Sequence, residues 1–144
     1  MPEKARELEN LARVGKLAAE PGAPGEINGL LTSGSERLAD ARNENLALSS
    51  RFDLAYNAAH AFSLAALRWH GYRSDSRYLV FQTLPHTLGL PAAVWRVLAK
   101  AHEMRNVAEY EGHLDADARM LRNLIEAAEA VRIAVMALPD LPES

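Results

Sequence analysis

The residues with the most chemical potential lie in one segment, and they include an arginine at an unexpected position. Apolar side chains recur at intervals of three and four over residues 92–111, a spacing that predicts a helix. Arg105 falls on or beside this apolar stripe, in a row with Leu98, Ala101 and Ala108. A guanidinium group cannot lose its charge. A buried one therefore needs carboxylates, phosphates or other hydrogen-bonding oxygens as partners.

Polar side chains flank Arg105 on the same helix. His102, Asn106, Glu109 and Tyr110 are three or four residues apart, so they should form a band along one flank. In one interpretation Arg105 pairs with a buried acid, or reaches water from the edge of the stripe. In the other it faces a cleft or an interface and holds a phosphate. These five residues are the candidate binding site. Arg105, Tyr110 and His102 are the candidates for catalysis.

Other parts of the chain carry weaker chemical signals. The stretch "WHGYRSDSR" mixes aromatic and basic residues that can bind nucleic acid, but it also fits an exposed loop between helices. His60 lies within an alanine-rich helix and is expected to be a packing residue. No histidines or carboxylates have a convincing metal-ligand spacing, and there is no glycine-rich phosphate loop. We therefore expect neither a metal ion nor a cofactor.

Composition and charge narrow the class of protein. The absence of cysteine rules out disulfides, thiolate metal sites and a cysteine nucleophile. No apolar run approaches the ~20 residues of a membrane span. The charged N-terminus lacks a signal-peptide core, so a cytoplasmic protein without a membrane partner is expected. The net charge is −3, yet residues 51–105 carry seven basic and three acidic residues. That basic middle could meet a phosphate-rich partner, or it could pair with the acidic flanks.

The composition also predicts the fold class. Alanine and leucine dominate a hydrophobic fraction of 49%, and aromatic residues make up only 6%, which favours an all-α bundle of four to five main helices. We predict an N-terminal helix over residues 2–20, broken by "EPGAPG", with the whole of 1–24 as helix and linker. The helical bundle is expected over 25–138 and a polar tail over 139–144.

Local signals predict where the bundle helices begin, bend and end. In the second helix we predict a kink at Gly34 and a capping box formed by Ser33 with Glu36. Ser49 or Ser50 should cap the central helix, and Gly71 should follow its end. A break is expected near Pro85. Pro91 should open the helix that runs to Gly112, and Asp115 or a neighbour should cap the last helix.

Three stretches resemble the HEPN superfamily, the small helical bundles of prokaryotic toxins and nucleotide-related systems. They are "SSRFDLAYNAAHAFSLAALRWHGYRS", "RYLVFQTLPHTLG" and "RNVAEYEG", and the resemblance covers about residues 26–137. It implies a homodimer whose motifs meet across a cleft, with RNA or a nucleotide as ligand. It also implies that an antitoxin-like nucleotidyltransferase is a possible partner.

The catalytic motif of the superfamily is only partly present. Active HEPN ribonucleases carry an arginine, a polar residue and then a histidine, with four to six residues between arginine and histidine. Arg105 and Asn106 match the first two positions, but Tyr110 occupies the place four residues on, and His113 lies one residue too far. Cleavage of RNA without a metal needs a base for the 2′-hydroxyl proton, an acid and a cation. Tyrosine, with a pKa of about 10, is a poor base at neutral pH, although His102 could substitute.

The sequence is therefore compatible with three alternative functions. The first is a homodimer that binds RNA or a nucleotide through a groove containing Arg105, without efficient catalysis. The second is a metal-independent HEPN ribonuclease of a toxin–antitoxin type system. The third is a structural or protein-interaction bundle in which Arg105 belongs to a buried ion pair.

Overall fold

Seven α-helices build the part of the chain that the computed structural model describes, residues 2–140, with side chains described from Arg6 onward. The fold is all-α, as predicted. A two-residue strand pair, β1 (Ala18–Ala19) and β2 (Tyr72–Arg73), is antiparallel and sets Ala18 opposite Arg73. The helices are α1 (Pro2–Arg13), α2 (Pro24–Ala41), α3 (Leu48–Trp69), α4 (Arg77–Gln82), α5 (Leu84–Thr87), α6 (Ala92–Glu111) and α7 (Ala118–Met136).

Helix α3 is the centre of the bundle. It packs against α2 and α7 most extensively, and also against α4, α5 and α6. Six of its alanines are wholly or almost wholly buried, and such small side chains let neighbouring helices approach closely. The buried aromatic residues Phe52, Tyr56 and Phe62 fill the space between these contacts. No helix within residues 2–140 combines the length and apolar character needed to cross a membrane.

Helix α2 corrects a local prediction. It runs from Pro24 to Ala41 without a break at Gly34, where the sequence predicted a kink. The predicted capping box is wrong, because Ser33 and Glu36 lie inside the helix, and the Ser33 hydroxyl accepts a hydrogen bond from Arg37. Gly34 is needed for a close approach instead: a Cβ atom there would lie 2.7 Å from Cε1 of Phe62.

Replacing Gly34 by alanine should destabilise the protein by about 1–3 kcal/mol. The added methyl group would overlap the ring of Phe62, which is fully buried in the core. Gly29→Ala is the matched control, because a Cβ on that residue of the same helix meets nothing within 4 Å. The control should gain up to about 1 kcal/mol from helix propensity. Urea unfolding of both variants measures the difference, and equal stabilities would contradict the close-packing argument.

The N-terminal segment departs from its prediction. Helix α1 ends at Arg13 rather than near residue 20, and Gly15 then turns the chain with a φ of +81°. Leu8 and Leu17 are buried against Leu67 and Val80 in a second, smaller apolar cluster. The segment is thus attached to the bundle through these two leucines. The predicted tail begins with Pro139, whose carbonyl accepts a hydrogen bond from Trp69 Nε1 at 2.8 Å. Residues 141–144 lie outside the described part.

Turn residues mark the other helix ends largely as expected. Gly71 and Gly112 follow α3 and α6 with φ of +88° and +80°, as the helix-stop signals predict. The helical segment breaks next to Pro85, and Pro91 precedes the first residue of α6.

The serine cap predicted for α3 is wrong, and the cap predicted for α7 at Asp115 or a neighbour is confirmed. Ala47 occupies the N-cap position of α3 without a side-chain hydrogen bond, and Ser49 and Ser50 lie inside the helix. Asp117 caps α7, where its carboxylate accepts a hydrogen bond from the Met120 amide at 2.8 Å.

Candidate functional site

Helix α6 lies at the edge of the bundle with much of its surface open. Only Leu98 and Ala101 are buried among its twenty residues. It packs between α4 on one side and α7 on the other. Because the apolar stripe of α6 is narrow, its polar flank remains accessible. The side chain of Arg105, at the edge of that stripe, keeps 28% of its surface exposed.

Arg105 forms an ion pair within the chain, but at the surface. Its Nε donates a hydrogen bond to Asp53 Oδ1 at 2.7 Å, and the Asp53 side chain is 54% exposed. The guanidinium group also lies over the ring of Tyr56, with Cζ 4.4 Å from the ring centroid. This position over the aromatic face is favourable for a cation. Arg105 is therefore paired with a carboxylate and also open to solvent. It matches neither a buried ion pair nor an unpaired cation in a cleft.

His102 is fixed by two hydrogen bonds. The Asn106 amide nitrogen lies 3.2 Å from Nε2 and the Tyr56 hydroxyl lies 2.7 Å from Nδ1, so each ring nitrogen has a hydrogen-bond partner. Burial, and then the nearby charges of Arg105 and Arg77, lower the pKa of His102 below its ordinary value of 6.5. His102 is thus uncharged at neutral pH, and both ring nitrogens are occupied.

Arg77 and His60 complete the surroundings of Tyr56. The Cζ atom of Arg77 lies 5.5 Å from the Tyr56 ring centroid, and its Nη1 donates to Asn57 Oδ1 at 2.9 Å. Within the described residues Arg77 has no carboxylate partner. Burial, followed by the charges of Arg77 and His102, lowers the pKa of His60 to about 4. Two guanidinium groups therefore flank Tyr56, and only one of them is matched by a carboxylate.

Tyr56 and its neighbours on α3 were not among the residues predicted for the site. Tyr56 recurs at helical spacing with Phe52, Ala59 and Phe62, a pattern typical of a core residue, and its side chain is fully buried. A signal was nevertheless present. Asp53, Asn57 and His60 are four and three residues apart, so they form a polar row beside Tyr56 on α3. That row faces the polar flank of α6 through the Asp53–Arg105 contact.

Two openings lie next to these residues. The larger has a volume of about 550 Å³ and adjoins His102. The rings of Tyr78 and Trp95 meet edge to face there, with centroids 6.3 Å apart, and Tyr78 is 44% exposed. We call this opening the aromatic groove; its principal lining residues are Tyr78, Trp95, Arg96, Lys100, His102 and Asn106. The smaller opening, of about 240 Å³, lies beside Asp53 and Arg105.

The five predicted site residues separate into three groups. His102 and Asn106 line the aromatic groove, whereas Arg105 and Glu109 line the smaller opening. His102 and Arg105 are nevertheless joined, because both contact Tyr56. Tyr110 is 92% exposed and lines neither opening. Helical spacing predicted one site for these residues, but in the folded chain they line two different openings.

The charges around these openings leave a small positive excess. Arg96, Lys100 and Arg105 line the openings together with Asp53, Glu103 and Glu109, and Arg77, over the Tyr56 ring, adds a fourth positive charge. Among the residues that the structure describes, no three histidine or acidic side chains converge as metal ligands. The chemistry available here is thus cationic contact, aromatic stacking and hydrogen bonding from an uncharged histidine.

Comparison of the chain with family models, with curated proteins and with solved structures finds no match in any of the three.

Proposed function

We propose that the protein is a HEPN-like domain that forms a homodimer and binds RNA or a nucleotide without efficient catalysis. The ligand would lie in the aromatic groove and reach the stack of Arg77, Tyr56 and Arg105. The observation that carries the proposal is the half-exposed Tyr78 ring beside several incompletely neutralised cations. The homodimer is supported by the outer face of α6, where Val107 and Tyr110 are exposed.

Both parts of the groove suit a nucleotide. An accessible aromatic ring can stack on a base, a contact worth about 1–3 kcal/mol per base. Arginine is well suited to phosphate because its planar group donates two parallel hydrogen bonds. Arg96 lines the groove, and Arg77, next to Tyr78 in the chain, has a guanidinium that contacts an amide oxygen and an aromatic face rather than a carboxylate.

The same geometry supports binding rather than efficient cleavage. A base for the 2′-hydroxyl needs a free lone pair, and both nitrogens of His102 are hydrogen-bonded. The Arg105 charge is already paired with Asp53. Tyr110 lines neither opening and is exposed to solvent. A base and an unpaired cation are therefore not presented together.

One observation favours the ribonuclease alternative. His102 has a lowered pKa and lies near both Arg105 and Arg77, so it is an uncharged imidazole beside two cations. Rotation of the Asn106 amide away from Nε2 would free the lone pair of a general base. Incubation of total RNA with the purified protein in EDTA tests this alternative. Cleavage that disappears in both Arg105→Ala and His102→Ala would establish it and overturn the non-catalytic proposal.

Binding is tested by fluorescence anisotropy with labelled single-stranded RNA and with a labelled nucleotide at low salt. Arg77→Ala and Tyr78→Ala should each weaken binding by about tenfold, because one loses a phosphate contact and the other a stacking surface. Arg119→Ala is the matched control, since this exposed arginine at the start of α7 lines neither opening. Equal weakening by the control would mean non-specific charge attraction. Absence of binding by the wild type would refute the proposal.

A further inference from the structure

A separate pocket opens on the other side of α6, where this helix meets α3 and α7. Its volume is about 250 Å³. Phe52 and Leu124, both almost completely buried, belong to its lining, together with Val97, Met104 and Met120. We call this opening the apolar pocket. Its chemistry differs from that of the aromatic groove, because aliphatic and thioether groups dominate the walls.

The methionines give the apolar pocket adaptable walls. Met104 extends from α6 and Met120 from the first turn of α7, so the pocket has one flexible thioether side chain from each helix. Unbranched methionine adjusts its shape to an apolar ligand at low cost. Met120 is exposed in spite of its apolar character. A ligand that covered it would gain from removing that surface from water.

Two cations belong to the same pocket. Arg96 and Lys100 line it and are one helical turn apart, so their side chains extend from the same face of α6. No carboxylate within the described residues lies within ion-pairing distance of Arg96, and Lys100 reaches only Glu103, at 4.0 Å. Asn123 adds an amide group from α7. A ligand that matches these cations and the apolar walls carries a single anionic group on an apolar body.

We propose that the apolar pocket binds a medium-chain carboxylate, with the hydrocarbon chain against the methionines and the carboxylate on Arg96 and Lys100. The volume of about 250 Å³ lies below the roughly 300–1,000 Å³ of pockets for drug-sized ligands, which favours a short chain. The proposal is independent of RNA binding. Because Arg96 and Lys100 also line the aromatic groove, a bound carboxylate would neutralise charge there as well.

Methionine methyl resonances provide a direct test. In ¹³C-methyl-methionine protein, octanoate should shift the Met104 and Met120 signals saturably, whereas Met136 should remain unchanged because it lies outside the apolar pocket. Shifts confined to Met136, or no shift at all, would overturn the proposal. Met104 and Met120 signals that depend on protein concentration, without response to octanoate, would show that a second copy covers the pocket, and this result would overturn it too.

A matched pair of ligands tests the role of the charges. The double variant Arg96→Gln/Lys100→Gln should weaken octanoate binding by about tenfold and leave 1-octanol binding unchanged, since the alcohol lacks the charge that these residues recognise. Arg119→Gln removes a positive charge outside the pocket and should change neither affinity. Equal affinity of the wild type for octanoate and 1-octanol, with no effect of the double variant, would reduce the site to an apolar cavity and refute carboxylate recognition.

Discussion

Replacing Arg68 by methionine is expected to lower the free energy of unfolding by about 3 kcal/mol. This arginine, in the last turn of α3, is only 5% exposed. Its Nε donates to Glu26 and its Nη2 pairs with the Glu20 carboxylate, at 2.9 and 3.1 Å. Its remaining donors bind the backbone carbonyls of Glu20, Pro21 and Tyr72 at 2.8 to 3.2 Å.

The number of these contacts explains the size of the effect. A guanidinium group has five N–H donors, and Arg68 makes four hydrogen bonds as well as an ion pair with the Glu20 carboxylate. Methionine would fill the space but leave three partly buried carbonyl contacts without their donor, which is the costly outcome for a polar group. The chain at Gly22 passes so close that a Cβ there would lie 2.3 Å from the Arg68 carbonyl oxygen. Arg68 thus fastens the N-terminal segment to the end of α3.

Urea unfolding of the variants measures this contribution. Arg73→Met is the matched control, because Arg73 also pairs with Glu20, at 3.6 Å, but from a half-exposed position. The control should cost less than about 1 kcal/mol, as is usual for surface ion pairs. Arg68→Lys should fall between the two, since it keeps the charge but has three donors in place of five. Equal losses for Arg68→Met and Arg73→Met would contradict the proposed role of the carbonyl contacts.

Lowering the pH from 7 to 4 should destabilise the protein through His60, by up to about 3 kcal/mol from this residue alone. Its pKa falls from 6.5 to about 4 on folding, mainly through burial and then through the charges of Arg77 and His102. Between these two values the unfolded chain binds a proton that the folded protein does not. Stability therefore rises with pH across this window, and the contribution is complete above about 6.5.

The variant His60→Gln isolates the effect. It should lose clearly less stability than the wild type between pH 7 and 4, because glutamine does not titrate. His113→Gln provides the same replacement at an exposed position. His102 contributes in the same direction, since its pKa is lowered too, and it is present in all three proteins. Glu129, whose pKa is lowered by Arg132, loses its contribution only as the pH falls below 4.5. Parallel curves for the wild type and His60→Gln would show that His60 does not control the acid response.

Much of the local structure could be read from neighbouring residues. The all-α class, the glycines after α3 and α6, and the start of α6 beside Pro91 follow from signals within a few positions. Caps and kinks within a helix were harder to predict, because Ser33 and Gly34 suit a helix end as well as a helix interior. Glycine is needed at position 34 because Phe62 packs against it from another helix.

The candidate site could be predicted only in part. The α6 flank of His102, Arg105 and Asn106 follows from helical periodicity, and the structure joins these residues through direct contacts or through Tyr56. The role of Tyr56 could not be predicted from the sequence, because a tyrosine in an apolar row has the pattern of a core residue. Arg77 lies on α4, and only tertiary packing brings it to the same ring.

The clearest division between sequence and tertiary structure concerns the two arginines. Both Arg68 and Arg105 lie near the apolar stripe of a helix, and the sequence singled out Arg105 as the anomalous one. The structure makes Arg68 the buried arginine and leaves Arg105 at the surface. Helical periodicity shows only on which face of its own helix a side chain lies. Most of the oxygens that stabilise the buried charge of Arg68 belong to Glu20, Pro21 and Glu26, more than forty positions away, so only the folded chain decides which arginine they surround.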